Sequence, residues 1–148
     1  MDRQKTDCVL PFFSSRMSLL SQRATEATRC SVLLADDSDL MRRMIERLLQ
    51  EEPGIELLGQ AKSFAQTLQM TAELKPQVVV MDLHMPDETT FEPDFIRSQL
   101  LRSAKHIVIM SVWNDEKSQA LANSYGAASF LDKNTLSSTL IPAILNLC

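Results

Sequence analysis

The stretch QVVVMDLHMPD, residues 77–87, decides the fold of this 148-residue chain. Three consecutive valines favour a strand that is buried on both faces, as the strands of a parallel sheet are. The apolar run ends at Asp82, and Pro86 then indicates a loop. In open α/β sheets the loops at the carboxyl ends of the strands carry the binding site, so this segment predicts both a buried strand and a functional edge.

Shorter apolar runs lie on either side of this segment, and helical patterns separate them. The runs predicted as further strands are Ser31–Ala35, Ile55–Ala61, His106–Met110 and Ala128–Leu131. Between them, apolar residues recur every three to four positions, which is typical of amphipathic helices. This alternation predicts a doubly wound α/β fold, (βα)5, with a parallel sheet of five strands covered on both faces.

Five helices are predicted along the chain. The first is stopped by Pro53-Gly54, the second spans 64–74, the third spans 94–103, the fourth is ended by Gly126 and the fifth spans 136–147. Asp37 or Ser38 is expected to cap the first, and Asn114 or Asp115 the fourth. The first helix has an apolar face of Leu40, Met44, Ile45, Leu48 and Leu49 and a polar face of Arg42, Arg43, Glu46, Arg47 and Gln50. Pro142 lies inside the last helix and lacks an N–H group, so that helix is predicted to kink there or to begin later.

Residues 1–30 have neither a strand period nor a helix period. We therefore predict a poorly ordered N-terminal extension over 1–30 and one folded domain over 31–148. Two alternatives stay open for the extension. It could be a docking arm that uses its apolar residues Val9, Leu10, Phe12 and Phe13, or translation could begin at Met17.

Composition excludes several classes of protein. A formal net charge of −4 argues against direct contact with nucleic acid, which favours a basic surface. No apolar run reaches the roughly 18 residues needed to cross a bilayer, and the patchy stretch 8–20 does not match a signal peptide. Cys8, Cys30 and Cys148 are odd in number and far apart, so we expect free thiols and a cytoplasmic location, with no membrane contact.

Polar residues directly follow four of the predicted strands. Asp36 and Asp37 follow the first strand, Asp82 the third, Ser111 the fourth and Lys133 the fifth. Taken singly, each is more often a helix cap or a solvated loop residue than a functional group. Because the carboxyl ends of parallel strands meet at one edge of a sheet, the four positions together predict a single site.

These residue types are suited to holding a phosphoryl group. Three carboxylates close together repel one another, and a hard divalent cation such as Mg²⁺ compensates them with its preference for oxygen ligands. Lys133 offers a positive charge for a phosphate oxygen, and the Ser111 hydroxyl offers a neutral donor. Asp82 is then the predicted nucleophile that forms an acyl phosphate.

The segments VLLADDS, VVVMDLHMPD, IVIMSVW and FLDKN resemble the hallmarks of response-regulator receiver domains, the family of the chemotaxis switch protein. The resemblance covers residues 31–148. Two separations match the family: 111 − 82 = 29 and 133 − 82 = 51. The resemblance implies a flavodoxin-like sheet of strand order 2-1-3-4-5 and a phosphoprotein of two-component signalling.

The resemblance also implies roles for individual residues. Mg²⁺ would be held by Asp36, Asp37, Asp82 and the backbone carbonyl of His84. Asp82 would accept the phosphoryl group from a histidine kinase or a histidine phosphotransfer protein, and Ser111 and Lys133 would contact it. Ser111 and Phe130 would then switch together, the ring turning inward. The activated form would bind a downstream protein partner or act on an output domain missing from this chain, and would pair as a homodimer.

Two departures from the family pattern bear on the site. The family often has a glycine soon after the proline of the phosphoacceptor loop, and here residues 87–93 contain none, so the shape of this loop stays open. The residue after Ser111 is commonly small, whereas here it is Val112. We hypothesise that Val112 crowds the phosphoryl group, limits the access of water and prolongs the phosphorylated state.

The leading functional prediction is a phosphorylation-activated interaction module that catalyses only its own phosphotransfer and dephosphorylation. One alternative is the receiver part of a DNA-binding transcriptional regulator. Another is a Mg²⁺-dependent phosphatase on a similar fold. Such enzymes often need a second carboxylate two residues after the nucleophile, and His84 at that position counts against this alternative. A fixed binding scaffold is disfavoured by the complete set of acidic, serine and lysine positions.

Overall fold

The computed structural model describes residues 29–148, so the predictions for residues 1–28 lie outside it. Five strands alternate with five helices in this range. The strands are β1 Cys30–Ala35, β2 Ile55–Ala61, β3 Val78–Asp82, β4 His106–Ser111 and β5 Ser129–Asp132. The helices are α1 Asp39–Gln50, α2 Phe64–Leu74, α3 Pro93–Leu101, α4 Glu116–Ser124 and α5 Leu136–Leu147. Short 3₁₀ turns at Glu88–Thr90 and Lys133–Thr135 precede α3 and α5.

All neighbouring strands are parallel, and their order is β2-β1-β3-β4-β5, which confirms the predicted topology. β3 lies at the centre, with Val79 paired to Leu33 of β1 and to Ile107 of β4. The strand order reverses between β1 and β3, and in sheets of this kind a crevice opens there beyond the carboxyl ends. β1 ends at Ala35 and β3 at Asp82, so the predicted acidic residues lie at this crevice.

Alternate residues of the strands face two separate buried layers, as the period of two requires. Val79, Met81, Ile107 and Ile109 pack with α2, α3 and α4 in one layer. Val78, Val80, Val108 and Met110 pack with α1 and α5 in the other. Both layers are fully buried, which explains why β3 and β4 are continuous apolar runs rather than alternating ones.

Side-chain caps fix where the helices begin. The Ser38 hydroxyl accepts a hydrogen bond from the Met41 amide, and the Asp115 carboxylate accepts one from the Ser118 amide. These contacts identify the caps among the predicted alternatives, Ser38 for α1 and Asp115 for α4. Ser63 caps α2 in the same way. α3 begins one residue before its predicted start because Pro93 occupies its first turn, where a missing N–H group costs nothing.

The predicted faces of α1 are partly wrong. Leu40 is 72% exposed and Met44 is 43% exposed, although both were assigned to the buried face. Arg42 was assigned to the polar face, yet it is only 7% exposed. Ile45 and Leu49 carry the packing of α1 onto the sheet. Met41 also packs against this buried layer, so the buried stripe of α1 runs along Met41, Ile45 and Leu49. Leu40 and Met44 lie to one side of that stripe.

Pro142 lies inside α5, which runs without interruption from Leu136 to Leu147. The alternative that this helix begins later is therefore wrong. Pro142 and Ser138, the residue four positions earlier, are both exposed. The carbonyl that loses its helical partner thus faces solvent, where water satisfies it at little cost.

The expectation of free thiols is wrong for two of the three cysteines. Cys30 at the start of β1 and Cys148 just after α5 form a disulfide, with Cα atoms 5.9 Å apart. α5 packs on the same face of the sheet as α1, and its C-terminal end meets the first residue of β1. The two cysteines are 118 positions apart, so distance along the chain did not indicate their distance in space. Cys8 lies outside the described residues.

Candidate functional site

The turn after β1 is held by α1. Asp36 is completely buried, whereas Asp37 is exposed. The Ser38 amide donates to Asp36 Oδ1 at 2.9 Å, and Arg42 Nη1 donates to the backbone carbonyl of Asp36 at 2.6 Å. Arg42 also pairs with Asp39. These contacts fix the direction in which the Asp36 carboxylate points, toward the end of β3.

Asp82 ends β3 and is only 8% exposed. Its Oδ1 accepts a long hydrogen bond of 3.4 Å from the His84 amide. One carboxylate oxygen each from Asp36, Asp37 and Asp82 lies within 4.8 Å of the others. The structure therefore brings together three of the predicted site residues that come from two different strands.

Lys133, directly after β5, completes the cluster. Its Nζ lies 2.7 Å from Asp36 Oδ2 and 3.0 Å from Asp82 Oδ2, and its side chain is 9% exposed. Lys133 is 97 residues from Asp36 in sequence. One ammonium group thus pairs with two of the three carboxylates of the cluster, and the site keeps an excess of negative charge.

Burial dominates the protonation of this cluster. Burial raises the pKa of Asp82 from 3.8 to about 6, because the nearby Lys133 charge only partly offsets it and the Asp36 charge adds to it. Burial lowers the pKa of Lys133, but its hydrogen bonds and charge interactions with Asp36 and Asp82 outweigh this, so the pKa is raised overall. Lys133 therefore remains an ammonium ion at neutral pH.

The donor set of the cluster fits a hard divalent cation. Carboxylate oxygens are the preferred ligands of Mg²⁺, which usually binds through one or two carboxylates and keeps several waters. Asp37 is exposed, which leaves an open side for water or a phosphate group. The unneutralised charge of the cluster is what such a cation would compensate.

Ser111 ends β4 and is 2% exposed. Within residues 29–148, its hydroxyl accepts a hydrogen bond from the Trp113 amide at 3.0 Å and has none to Asp82 or Lys133. Val112 and Trp113 follow with 54% and 62% of their surfaces exposed. Ser111 thus lies at the same edge of the sheet as the cluster without contacting it directly.

His84 and Phe130 occupy different surroundings. The His84 side chain is exposed, and its Nδ1 lies 2.6 Å from Glu88 Oε2. Phe130, in β5, is half-buried and packs against the layer that contains α2, α3 and α4. The structure therefore places the ring of Phe130 next to the core, and the ring of His84 beside the loop that follows β3.

Sequence reasoning missed two residues that build this site. Arg42 looked like a surface residue because the helical period put it on the polar face of α1. The Asp39–Arg42 spacing of three residues was the one available signal, and it indicates a surface pair equally well. The Asp87 carboxylate accepts hydrogen bonds from the amides of Phe64 and Ala65, more than 20 positions away, and no local pattern indicates such contacts.

The family described as "Response regulator receiver domain" matches residues 32–145 of this chain. The chain belongs to this family. Receiver domains are the phosphorylation-activated components of two-component signalling, in which they act between histidine kinases or phosphotransfer proteins and output domains. The family assignment agrees with the site, because it explains why an acidic cluster and a lysine meet at the carboxyl edge of the sheet.

Curated relatives support the receiver assignment. "Response regulator GacA" of Pseudomonas protegens is 36% identical over 115 residues, which span 76% of this chain and 53% of that protein. "Protein-glutamate methylesterase/protein-glutamine glutaminase 2" of Koribacter versatilis is 35% identical over 115 residues, which span 76% of this chain and 31% of that protein. The receiver thus spans between about a third and about half of the relatives it matches.

Solved structures show the same fold. The receiver domain of NarL from Mycobacterium tuberculosis superimposes with a TM-score of 0.70 at 21% identity and covers 80% of this chain and 94% of its own. The response regulator domain of CheB from Thermotoga maritima gives a TM-score of 0.69 at 22% identity, and the match covers 80% of this chain and 96% of that domain. Within residues 29–148 of this receiver, none of the helices is long and apolar enough to span a membrane.

Proposed function

We propose that this receiver accepts a phosphoryl group on Asp82 and thereby switches a protein-binding surface. The single observation that supports this most is the convergence of Asp36, Asp37, Asp82 and Lys133, which come from three strands and meet at one edge of the sheet. A buried carboxylate with a partly open side is a suitable nucleophile. The surrounding charges are suited to the three equatorial oxygens of a transferring phosphoryl group.

The donor is a phosphohistidine of a histidine kinase or of a histidine phosphotransfer protein. A carboxylate oxygen of Asp82 attacks phosphorus, a P–O bond forms, the P–N bond breaks, and the imidazole leaves and takes up a proton. Lys133, which pairs with Asp82 before transfer, then turns its ammonium group to a phosphoryl oxygen. Because Lys133 keeps its contact with Asp36, this change requires only a small movement.

Mg²⁺ is the cation we assign to the cluster. Asp36, Asp37, Asp82 and the backbone carbonyl of His84 would hold it, and it would neutralise charge on the phosphoryl oxygens during transfer. Oxygen donors on a mostly buried platform support this choice over metals that prefer nitrogen or sulfur.

The switch couples Ser111 to Phe130. In the present state the Ser111 hydroxyl accepts from the Trp113 amide. A phosphoryl group on Asp82 offers the Ser111 O–H a charged acceptor, and movement of β4 and the following loop toward it lets the half-buried Phe130 ring turn further inward. Val112, exposed beside Ser111, would limit the access of water to the acyl phosphate.

The rim of the site is suited to a helical phosphodonor. Leu40 and Met44 on α1, and Val112 and Trp113 after β4, are large exposed apolar residues near the carboxyl edge of the sheet. Arg43 and Arg47, also exposed, line a cavity with Leu40 and Met44. An apolar patch with a basic border is complementary to an amphipathic helix that carries acidic residues around its histidine.

The surface that responds is formed by residues 115–148, which include α4, β5 and α5. It would bind a downstream protein or an output domain, and would support pairing of two phosphorylated copies.

A second candidate places this receiver in a DNA-binding regulator, because its relatives are longer than the matched segment and the similar folds include "DNA-binding response regulator, LuxR family, from Staphylococcus aureus". Sequencing the gene on both sides of the present segment decides between these two.

Intact-protein mass spectrometry tests the chemistry. The protein is incubated with Mg²⁺ and acetyl phosphate, beside Asp82→Asn and a sample with EDTA. Asp94→Asn, which removes an exposed carboxylate from α3, is the matched control. We expect one phosphoryl group on the wild-type protein and on Asp94→Asn, and none in the other two samples. A phosphoryl group that persists in Asp82→Asn would contradict the assignment of the acceptor.

A further inference from the structure

The loop between β3 and α3 is tied to the start of α2 by one carboxylate. Asp87 Oδ1 accepts a hydrogen bond from the Phe64 amide, and Asp87 Oδ2 accepts one from the Ala65 amide, both at 2.9 Å. Both oxygens of the side chain are thus used by two consecutive amides. Asp87 lies five residues after Asp82 in the loop that follows the phosphoacceptor.

The amides that Asp87 binds have no partner within their own helix. The first N–H groups of any helix lack a carbonyl to donate to, and the helix dipole makes this end favourable for a negative charge. At α2 the Ser63 hydroxyl accepts from the third amide, Gln66, while Asp87 accepts from the first two. Asp87 therefore completes the cap of α2 from a distant part of the chain.

The same loop has two further fixed points. Leu83 and Met85 are buried, and the Glu88 amide donates to the Met85 carbonyl at 3.0 Å. The Glu88 carboxylate pairs with His84. His84 lies between the two buried side chains, so its backbone carbonyl is held on one side by β3 and on the other by the turn that contains Asp87. This loop lacks the glycine that is common in the family, and two acidic side chains fix its path instead.

We propose that Asp87 is a positioning residue, which holds the His84 carbonyl in place for the cation by tying its loop to α2. This inference rests on the proposed function, because the cation is assigned there. Asp87 itself contacts neither the cluster nor a phosphoryl group. Groups that orient metal ligands typically change metal affinity by about 10-fold to 100-fold when they are removed, and we expect the lower end for a backbone ligand.

The chain offers a matched control for the effect on the helix alone. Ser63→Ala removes one capping bond from α2 and leaves the contact between α2 and the loop intact. Asp87→Ala removes the capping bonds together with that contact, and Asp87→Asn keeps one oxygen acceptor. Comparison of the first two variants separates loss of a helix cap from loss of loop position.

Nuclear magnetic resonance measures both consequences in one preparation. Amide exchange without metal reports the Phe64, Ala65 and Gln66 hydrogen bonds, and a Mg²⁺ titration reports the dissociation constant. In Asp87→Ala we expect the Phe64 and Ala65 amides to exchange at least about tenfold faster and Mg²⁺ to bind about tenfold more weakly. In Ser63→Ala we expect faster exchange at Gln66 and Mg²⁺ affinity within about twofold of wild type, with Asp87→Asn intermediate.

Three results would overturn the proposal. Unchanged Mg²⁺ affinity in Asp87→Ala would refute it, and so would an equal loss of affinity in Ser63→Ala, while both would leave the proposed function standing. Wild-type protein that binds no Mg²⁺ would refute the assignment of the cation and the role of Asp87 with it. Amide exchange at Phe64 and Ala65 would still report the hydrogen bonds, so the two failures are distinguishable.

Discussion

Replacement of Asp82 by asparagine should stabilise the metal-free protein at neutral pH. Asp82 is mostly buried, and its pKa is raised from 3.8 to about 6 in the folded state. The folded protein therefore binds a proton at Asp82 more tightly than the unfolded chain does. Stability falls as pH rises through the interval between these two values, because ionised Asp82 must be buried beside Asp36. Asparagine resembles the protonated side chain and avoids this cost.

The magnitude follows from the shift of the pKa. A difference of 6 − 3.8 = 2.2 corresponds to about 3 kcal/mol of unfolding free energy at pH 7.5, from 1.36 kcal/mol for each pKa unit. At pH 4.5 the unfolded chain is mostly ionised and the folded protein mostly protonated, so the advantage of Asp82→Asn falls to about 1 kcal/mol. The pH dependence, more than the absolute value, is the signature of Asp82.

Urea unfolding in EDTA at both pH values measures this effect. Asp94→Asn removes one exposed carboxylate and controls for the change in net charge. A difference in unfolding free energy between Asp82→Asn and wild type that is the same at pH 7.5 and pH 4.5 would refute the argument from burial. So would a variant that is no more stable than wild type at pH 7.5.

Three other perturbations test separate parts of the molecule. Lys133→Met leaves buried Asp36 without its ammonium partner, so we expect the free energy of unfolding in EDTA to fall by about 3 kcal/mol. Millimolar Mg²⁺ should restore part of this stability, and equal urea midpoints of the variant with and without Mg²⁺ would contradict this. Val112→Ala should shorten the lifetime of the phosphorylated protein severalfold, as followed by mass after removal of the donor, and an unchanged lifetime would refute the hypothesis that Val112 limits water access. Cys148→Ser opens a link across 118 positions and should lower the free energy of unfolding by up to about 5 kcal/mol, whereas equal stability of this variant and the oxidised wild type would exclude the Cys30–Cys148 bond in solution.

The sheet was predictable because its strands are buried on both faces. A strand such as β3 must be apolar along its buried length, from Val78 to Met81, and this local requirement appears directly in the sequence. The same local character narrowed two caps to Asp37 or Ser38 and to Asn114 or Asp115, since a cap acts within three residues. The structure then identified Ser38 and Asp115. The prediction of the buried face of α1 was partly wrong, because the burial of a helical residue also depends on what packs against the helix. Leu40 lies on the apolar side of α1, but the stripe that packs on the sheet runs along Ile45 and Leu49 and leaves Leu40 exposed.

The composition of the site was also predictable. Alternating strands and helices place the residues after each strand at one edge, so the sequence is enough to assign Asp36, Asp37, Asp82 and Lys133 to one cluster. The pairing within the cluster was not predictable. That Lys133 contacts both Asp36 and Asp82, and that Ser111 faces the Trp113 amide, depends on side-chain directions set by the packed sheet.

The sequence by itself determined the (βα)5 order, the buried third strand and the residues that follow the strands, because each of these follows from a period or a spacing along the chain. Tertiary structure alone decided the burial of Arg42, the contact of Asp87 with α2 and the Cys30–Cys148 bond. These features join parts of the chain that are distant in sequence or depend on what covers a helix. Their energies arise only when the packed sheet brings the partners together, so no local pattern in the sequence records them.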